Sequence, residues 1–194
     1  DGVKQVSDVY TTTTGVGCVG RSTNTPPFTV LGVLYFGVDT GGDCLPDEIW
    51  AAEQEGHSTL VAQLPGNIYY WVPQADAMLW MFVDAGGGKV GVWSGYGRPL
   101  IVGGGSQVYD YADVAYLGYA ANSFYFTGYV DGFGLTNPAI ISVNYGIVSS
   151  LDVSDASSTA VYQNDIFIAT ERGVLYRFHA DTWRHEVVKD SGFD

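Results

Sequence analysis

The chain has 194 residues, 46% hydrophobic and 15% charged, which suits one domain or at most two small ones with a real apolar core and excludes disorder. Only 8 Lys and Arg face 21 Asp and Glu, a net charge of −13, so the basic patches that neutralise phosphates are missing, nucleic acid is not expected as a partner, and an anionic membrane surface is disfavoured on the same grounds. No apolar run reaches the roughly 18 residues of a spanning helix, so membrane insertion is not expected.

The 26 Gly and 14 Tyr point to many tight turns between twisted strands. No signal-peptide pattern is visible, and a start at Asp1 rather than Met suggests a processed product, in keeping with a secreted or particle protein. Gly15 to Gly20 matches the glycine pattern of dinucleotide sites, but Arg21 to Pro27 cannot open the helix that such a site needs, which leaves a Gly-rich strand or turn. Cys18 and Cys44 either form a disulfide, closing a loop of about 27 residues, or pack as two small thiols.

A degenerate repeat begins at Leu34. Leu34 to Asp39 reads as a strand ending in Val-Asp before a Gly turn, and Leu79 to Asp84 repeats it. The loop after the first copy crowds Asp39, Asp43, Asp47 and Glu48. Asp39, Asp43 and Asp47 are candidate calcium ligands, although no EF-hand spacing is present and the same residues serve as strand-end caps. Asp152, Ser154 and Asp155 form a second loop of this kind. Pro46 to Gly56 carries mixed signals: Pro and acids at the start and Gly at the end suit a short helix, whereas the repeat asks for a strand through Ile49 and Trp50. A looser third copy runs from Val114 through Phe124 and Phe126 to Ile140, and a fourth from Asp165 through Val174 to Val188.

Short strands at a period of about 40–50 residues predict an all-β fold, a small β-propeller of about four blades. A two-sheet β-sandwich or jelly roll is the alternative for the same strands. The propeller reading makes 1–194 a single β domain, with 1–30 closing the ring or adding a partial blade and repeats near 31–66, 67–104, 105–144 and 145–194. The stretch Gly173 to Trp183 resembles the hairpin of kelch-like propeller blades, in which a strand ending in Tyr or Phe passes an Asp-Thr turn and meets a Trp that packs between blades. The resemblance covers about 25 residues and implies architecture rather than any kelch function, since propellers host many functions.

Catalytic signatures are weak. The carboxylate pair of a glycoside hydrolase would have to come from Glu48, Glu53, Glu55, Glu171, Glu186 and the Asp residues, and no nucleophile elbow occurs. His179 and His185 flank the Asp181-Thr182 turn and could face each other across a hairpin with Glu186 to hold a metal. Five tryptophans at blade positions suit packing between sheets, or sugar platforms on which a pyranose stacks while polar neighbours bond its hydroxyls. Trp50 and Trp93, with Asp39, Asp84 and Arg98, are the candidate ligand-binding set. The expected function is a non-enzymatic recognition module, extracellular or on a virion surface, that binds a glycan or receptor. A structural particle protein that packs against copies of itself is the alternative, and a glycoside hydrolase the third reading. No cofactor is expected beyond calcium.

Overall fold

The computed structural model describes residues 27–40, 45–52, 57–64, 66–74, 77–83, 90–96, 101–108, 114–132 and 135–190. The chain divides into two compact units, Asp1–Gly105 and Ser106–Asp194.

All the regular structure among these residues is strand. The first sheet holds β1 (Phe28–Val30), β2 (Val33–Val38), β3 (Glu48–Ala52) and β4 (Ser58–Gln63). The second holds β5 (Ile68–Pro73), β6 (Ala77–Val83), β7 (Val90–Tyr96) and β8 (Ile101–Val108). The third is β9 (Ala115–Ala120), β10 (Ser123–Gly132), β11 (Leu135–Ser142) and β12 (Gly146–Ser149). The fourth is β13 (Ala156–Tyr162), β14 (Asp165–Thr170), β15 (Val174–His179) and β16 (Arg184–Asp190). In each sheet the strands neighbour one another in chain order, the up-and-down winding of a propeller blade. The expected all-β, blade-built fold class is therefore present. Four separate sheets replace the two that a jelly roll would show.

The strand reading holds over Glu48–Ala52, where no helix forms, and 53–56 lie outside the described residues. The signals that suggested a helix are used otherwise. The Asp47 carboxylate accepts the Thr40 amide and hydroxyl, closing the loop between β2 and β3 instead of capping a helix. The Asp47 amide bonds the Val38 carbonyl, and its own carbonyl accepts from Leu64. β3 is then paired on both sides, with Phe36 opposite Trp50 and Trp50 opposite Leu60.

The repeat also needs one correction. Leu34, Leu79 and Asp165 lie on second strands of their sheets, but Val114 directly precedes β9, a first strand. The true counterpart in the third sheet is β10, so second strands begin at Val33, Ala77, Ser123 and Asp165, at near-even intervals. The apolar run Val114 to Tyr119 has the right alternation for either strand, and alternation alone cannot tell first from second.

Each unit has a core between its two sheets. In the first, Phe28, Val30, Tyr35 and Ile49 meet Leu64, Ile68 and Trp71. Phe28 stacks on Tyr35 at 5.4 Å and meets Trp71 edge-on at 5.0 Å. In the second, Leu117, Tyr125 and Ile140 of the third sheet meet Ile166, Ile168 and Phe178 of the fourth. The third sheet is buried on its other face too, where Phe124, Phe126 and Ile141 lie. The fourth is not: β16 is exposed along its whole length.

Candidate functional site

Of the binding and metal residues singled out from the sequence, the structure describes Trp50, Trp93, Asp39 and Asp47. Trp50 is half-buried on β3, its indole N–H donating to Glu48 Oε2 at 2.9 Å. Trp93, on β7, packs against the core of the first unit. The two are not equivalent positions. Trp50 pairs with Phe36, whereas Trp93 pairs with Trp80, one residue before the Met81 that matches Phe36 in the repeat. One residue of offset turns a side chain to the other face of a sheet. Asp39 is buried beside the end of β2. Asp84, Arg98, Asp43, Cys18, Cys44 and the glycine motif 15–20 lie outside the described residues.

In both candidate calcium loops, described carboxylates are engaged by the protein's own donors. Asp47 is engaged by Thr40. In the second loop the Arg172 guanidinium grips both oxygens of Asp155 at 2.7 and 2.9 Å, and Asp152 accepts the Ser154 amide and hydroxyl. Among the described residues no three His, Cys, Asp or Glu side chains converge as metal ligands. The two histidines of the last hairpin do not face each other either. His179 stands opposite Arg184 and His185 opposite Phe178, on alternate faces of the sheet. His179 Nδ1 lies 2.7 Å from Asp165 Oδ1, and the other Asp165 oxygen accepts from Arg177 at 2.6 and 2.9 Å. Arg177 also reaches Glu186 and lies over the Phe167 ring. These groups form a charged ladder across β14, β15 and β16 that is satisfied within itself.

The exposed chemistry sits at the turns of the second unit. The turn between β15 and β16 carries Ala180, Asp181, Thr182 and Trp183, closed by the Trp183 amide on the His179 carbonyl at 2.7 Å. Trp183 has φ 57°, the left-handed region. Hairpin turns of this sort usually place Gly or Asn there, because a side chain costs about 1–2 kcal/mol in that conformation. Trp183 is nevertheless 43% exposed. Its neighbour is Tyr145, 62% exposed, from the turn between β11 and β12 in the adjoining sheet. The two rings lie 5.5 Å apart at 50°.

Beneath them Tyr125, fully buried, donates its hydroxyl to the Ala180 carbonyl at 2.9 Å and so anchors the turn. Burial pushes the Tyr125 phenol above its ordinary range. The Trp183 side chain, bonded to its oxygen, works the other way, and Tyr145 and Asp181 add to the rise. Asp181 thus stands within electrostatic reach of the Tyr125 phenol, and it is exposed. Asn144, next to Tyr145, ties its turn to the Asn122 carbonyl at 3.1 Å. Trp183 was marked in the sequence as a residue that packs between blades; it does bridge two sheets, but at their exposed rim. Tyr145 was missed, and its only signal is a bulky aromatic in an Asn-Tyr-Gly turn.

No protein-family profile matches the chain, and no curated protein matches it. Among solved structures, the crystal structure of HIRA(644-1017) is similar, with 13% sequence identity and a TM-score of 0.44 over 87% of this chain and 53% of that one. The chain spans about half the length of that structure.

Proposed function

We propose that the chain is a non-catalytic recognition module, at work outside the cell or on a particle surface, and that it binds glycans through the rim formed by Tyr145 and Trp183. The observation that carries this reading is the exposed Trp183, held in a backbone conformation that disfavours it and set against a second exposed ring. A solvent-facing aromatic pair beside polar turn residues is the arrangement on which the apolar face of a pyranose stacks. Strained residues gather where a side chain is needed for binding. The test is a glycan-array screen of the labelled protein beside its Trp183→Gly variant, with and without calcium. Saturable binding to one sugar class, lost in the variant and indifferent to calcium, is expected. A blank with the wild-type protein overturns the reading.

A second reading, assembly with copies of itself, has its own observation. β16 is the end strand of its sheet, and Val187 and Val188 are 55% and 50% exposed on it. Such an edge is a template for strand pairing between chains. Sedimentation across a hundredfold range of concentration tests it: a single monomeric species throughout removes it.

A further inference from the structure

The groups at the rim say more about the ligand than that it has a face to stack. Two electron-rich rings meet at 5.5 Å, and the carboxylate of Asp181 lies in the turn that carries one of them. Ring faces attract cations through their quadrupole, and a nearby carboxylate adds a full negative charge. The cation nearest in sequence, Arg184, stands opposite His179, in the row of the sheet that includes Arg177 and Glu186. The whole molecule, at −13, draws cations and repels anions at long range. A sialylated, uronic or sulfated sugar would bring its own negative charge to this rim.

We propose that the Tyr145, Trp183 and Asp181 rim selects ligands bearing an organic ammonium group, and that among glycans it prefers amino sugars with a free, protonated amine. The preference for amino sugars rests on the recognition reading above; the ammonium chemistry does not. The ammonium stacks against the rings, Asp181 balances its charge, and acetylation of the amine removes the charge while leaving the ring to stack.

The experiment compares binding of glucosamine oligomers, their N-acetylated counterparts and choline at pH 6, followed by Trp fluorescence and calorimetry, in the wild-type protein and in Asp181→Asn. The substitution lies in an exposed turn, and its melting temperature is measured alongside. The expected result is a preference of about three- to tenfold for the free-amine oligomer, abolished in Asp181→Asn, with weak choline binding that Trp183→Gly removes. Equal affinity for the amine and acetylated oligomers overturns the ammonium inference and leaves glycan recognition standing. Choline binding without any sugar binding does the reverse. A preference that persists in Asp181→Asn overturns the role of that carboxylate.

Discussion

Gly118 on β9 and Val161 on β13 set how closely the third and fourth sheets approach: a Cβ on Gly118 would stand 2.6 Å from Val161 Cγ2 and 3.3 Å from Ile166 Cδ1. No real Cβ tolerates the first distance, and Val161 is branched at its own Cβ, so it has little room to swing away. Gly118→Ala is expected to destabilise the second unit by about 1–3 kcal/mol through overpacking. Adding Val161→Ala should restore part of that loss. Urea unfolding of the single and double variants measures both, and additive losses would remove the contact as the cause.

Tyr35 lies at the centre of the first core, fully buried, and its hydroxyl finds no hydrogen-bond partner among the described residues. A buried hydroxyl without a partner costs about 1–3 kcal/mol, while its ring keeps its stacking on Phe28 whether or not the oxygen is present. Tyr35→Phe should therefore raise stability by about 1 kcal/mol. A loss of stability in thermal unfolding would mean that the oxygen is bonded.

The strands were legible because their physics is local. Ile49 sits between half-buried neighbours and Ile166 and Ile168 alternate in the same way, so period-two burial marks their strands, whereas β2 is buried continuously from Tyr35 to Val38 and is marked by its apolar run. The turns were less so. Leu31-Gly32 and Ala121-Asn122 both have positive φ at each position and close two-residue hairpins, but only Gly32 and Asn122 announce that conformation. Which strand leads a blade was not legible at all, since β9 and β10 read alike. The rim failed for a different reason. Tyr145 and Trp183 are 38 positions apart in the chain, and they meet only because two successive sheets turn at the same end. Trp50 and Trp93 looked paired because each follows a Gly turn, and a one-residue difference in register separates them.

Trp93 and Trp50 should now behave differently. Trp93, partly buried, packs against the first core as part of its surround, so Trp93→Ala should cost about 3 kcal/mol. Trp50 is also half-buried but is not part of that surround and loses one hydrogen bond to Glu48, so Trp50→Ala should cost less. Neither should alter ligand binding at the rim of the other unit. Chemical denaturation and the binding assay together check both halves of this expectation.

Acid should weaken the second unit through two aspartates. Burial pushes the Asp165 carboxyl up, but bonds from Arg177 and His179 outweigh it and hold it below the ordinary range. At Asp155 the Arg172 guanidinium is the main cause of a similar depression. A depressed carboxyl favours the folded state fully above its unfolded value near pH 4, and that contribution is lost as pH falls through the folded value. Stability should thus fall from about pH 4 downward. In Asp165→Asn the neutral-pH stability drops and the acid slope flattens. An unchanged slope, measured by denaturation at steps of pH, would remove Asp165 as a contributor.

Trp183 separates fold from function in a single substitution. In Trp183→Gly the left-handed backbone becomes unstrained, a gain of about 1–2 kcal/mol, while the ring's contacts with Tyr145 and Tyr125 are lost. The two effects oppose each other, so the melting temperature should move little. Ligand binding has no such compensation, because the stacking surface is gone, and affinity should fall by about tenfold or more. Trp183→Phe keeps a ring and the backbone strain together, and it should bind better than the glycine variant while being less stable. A tryptophan present only to hold the two turns together would give the opposite order: Trp183→Gly would melt several degrees early, and any ligand would still bind at low temperature.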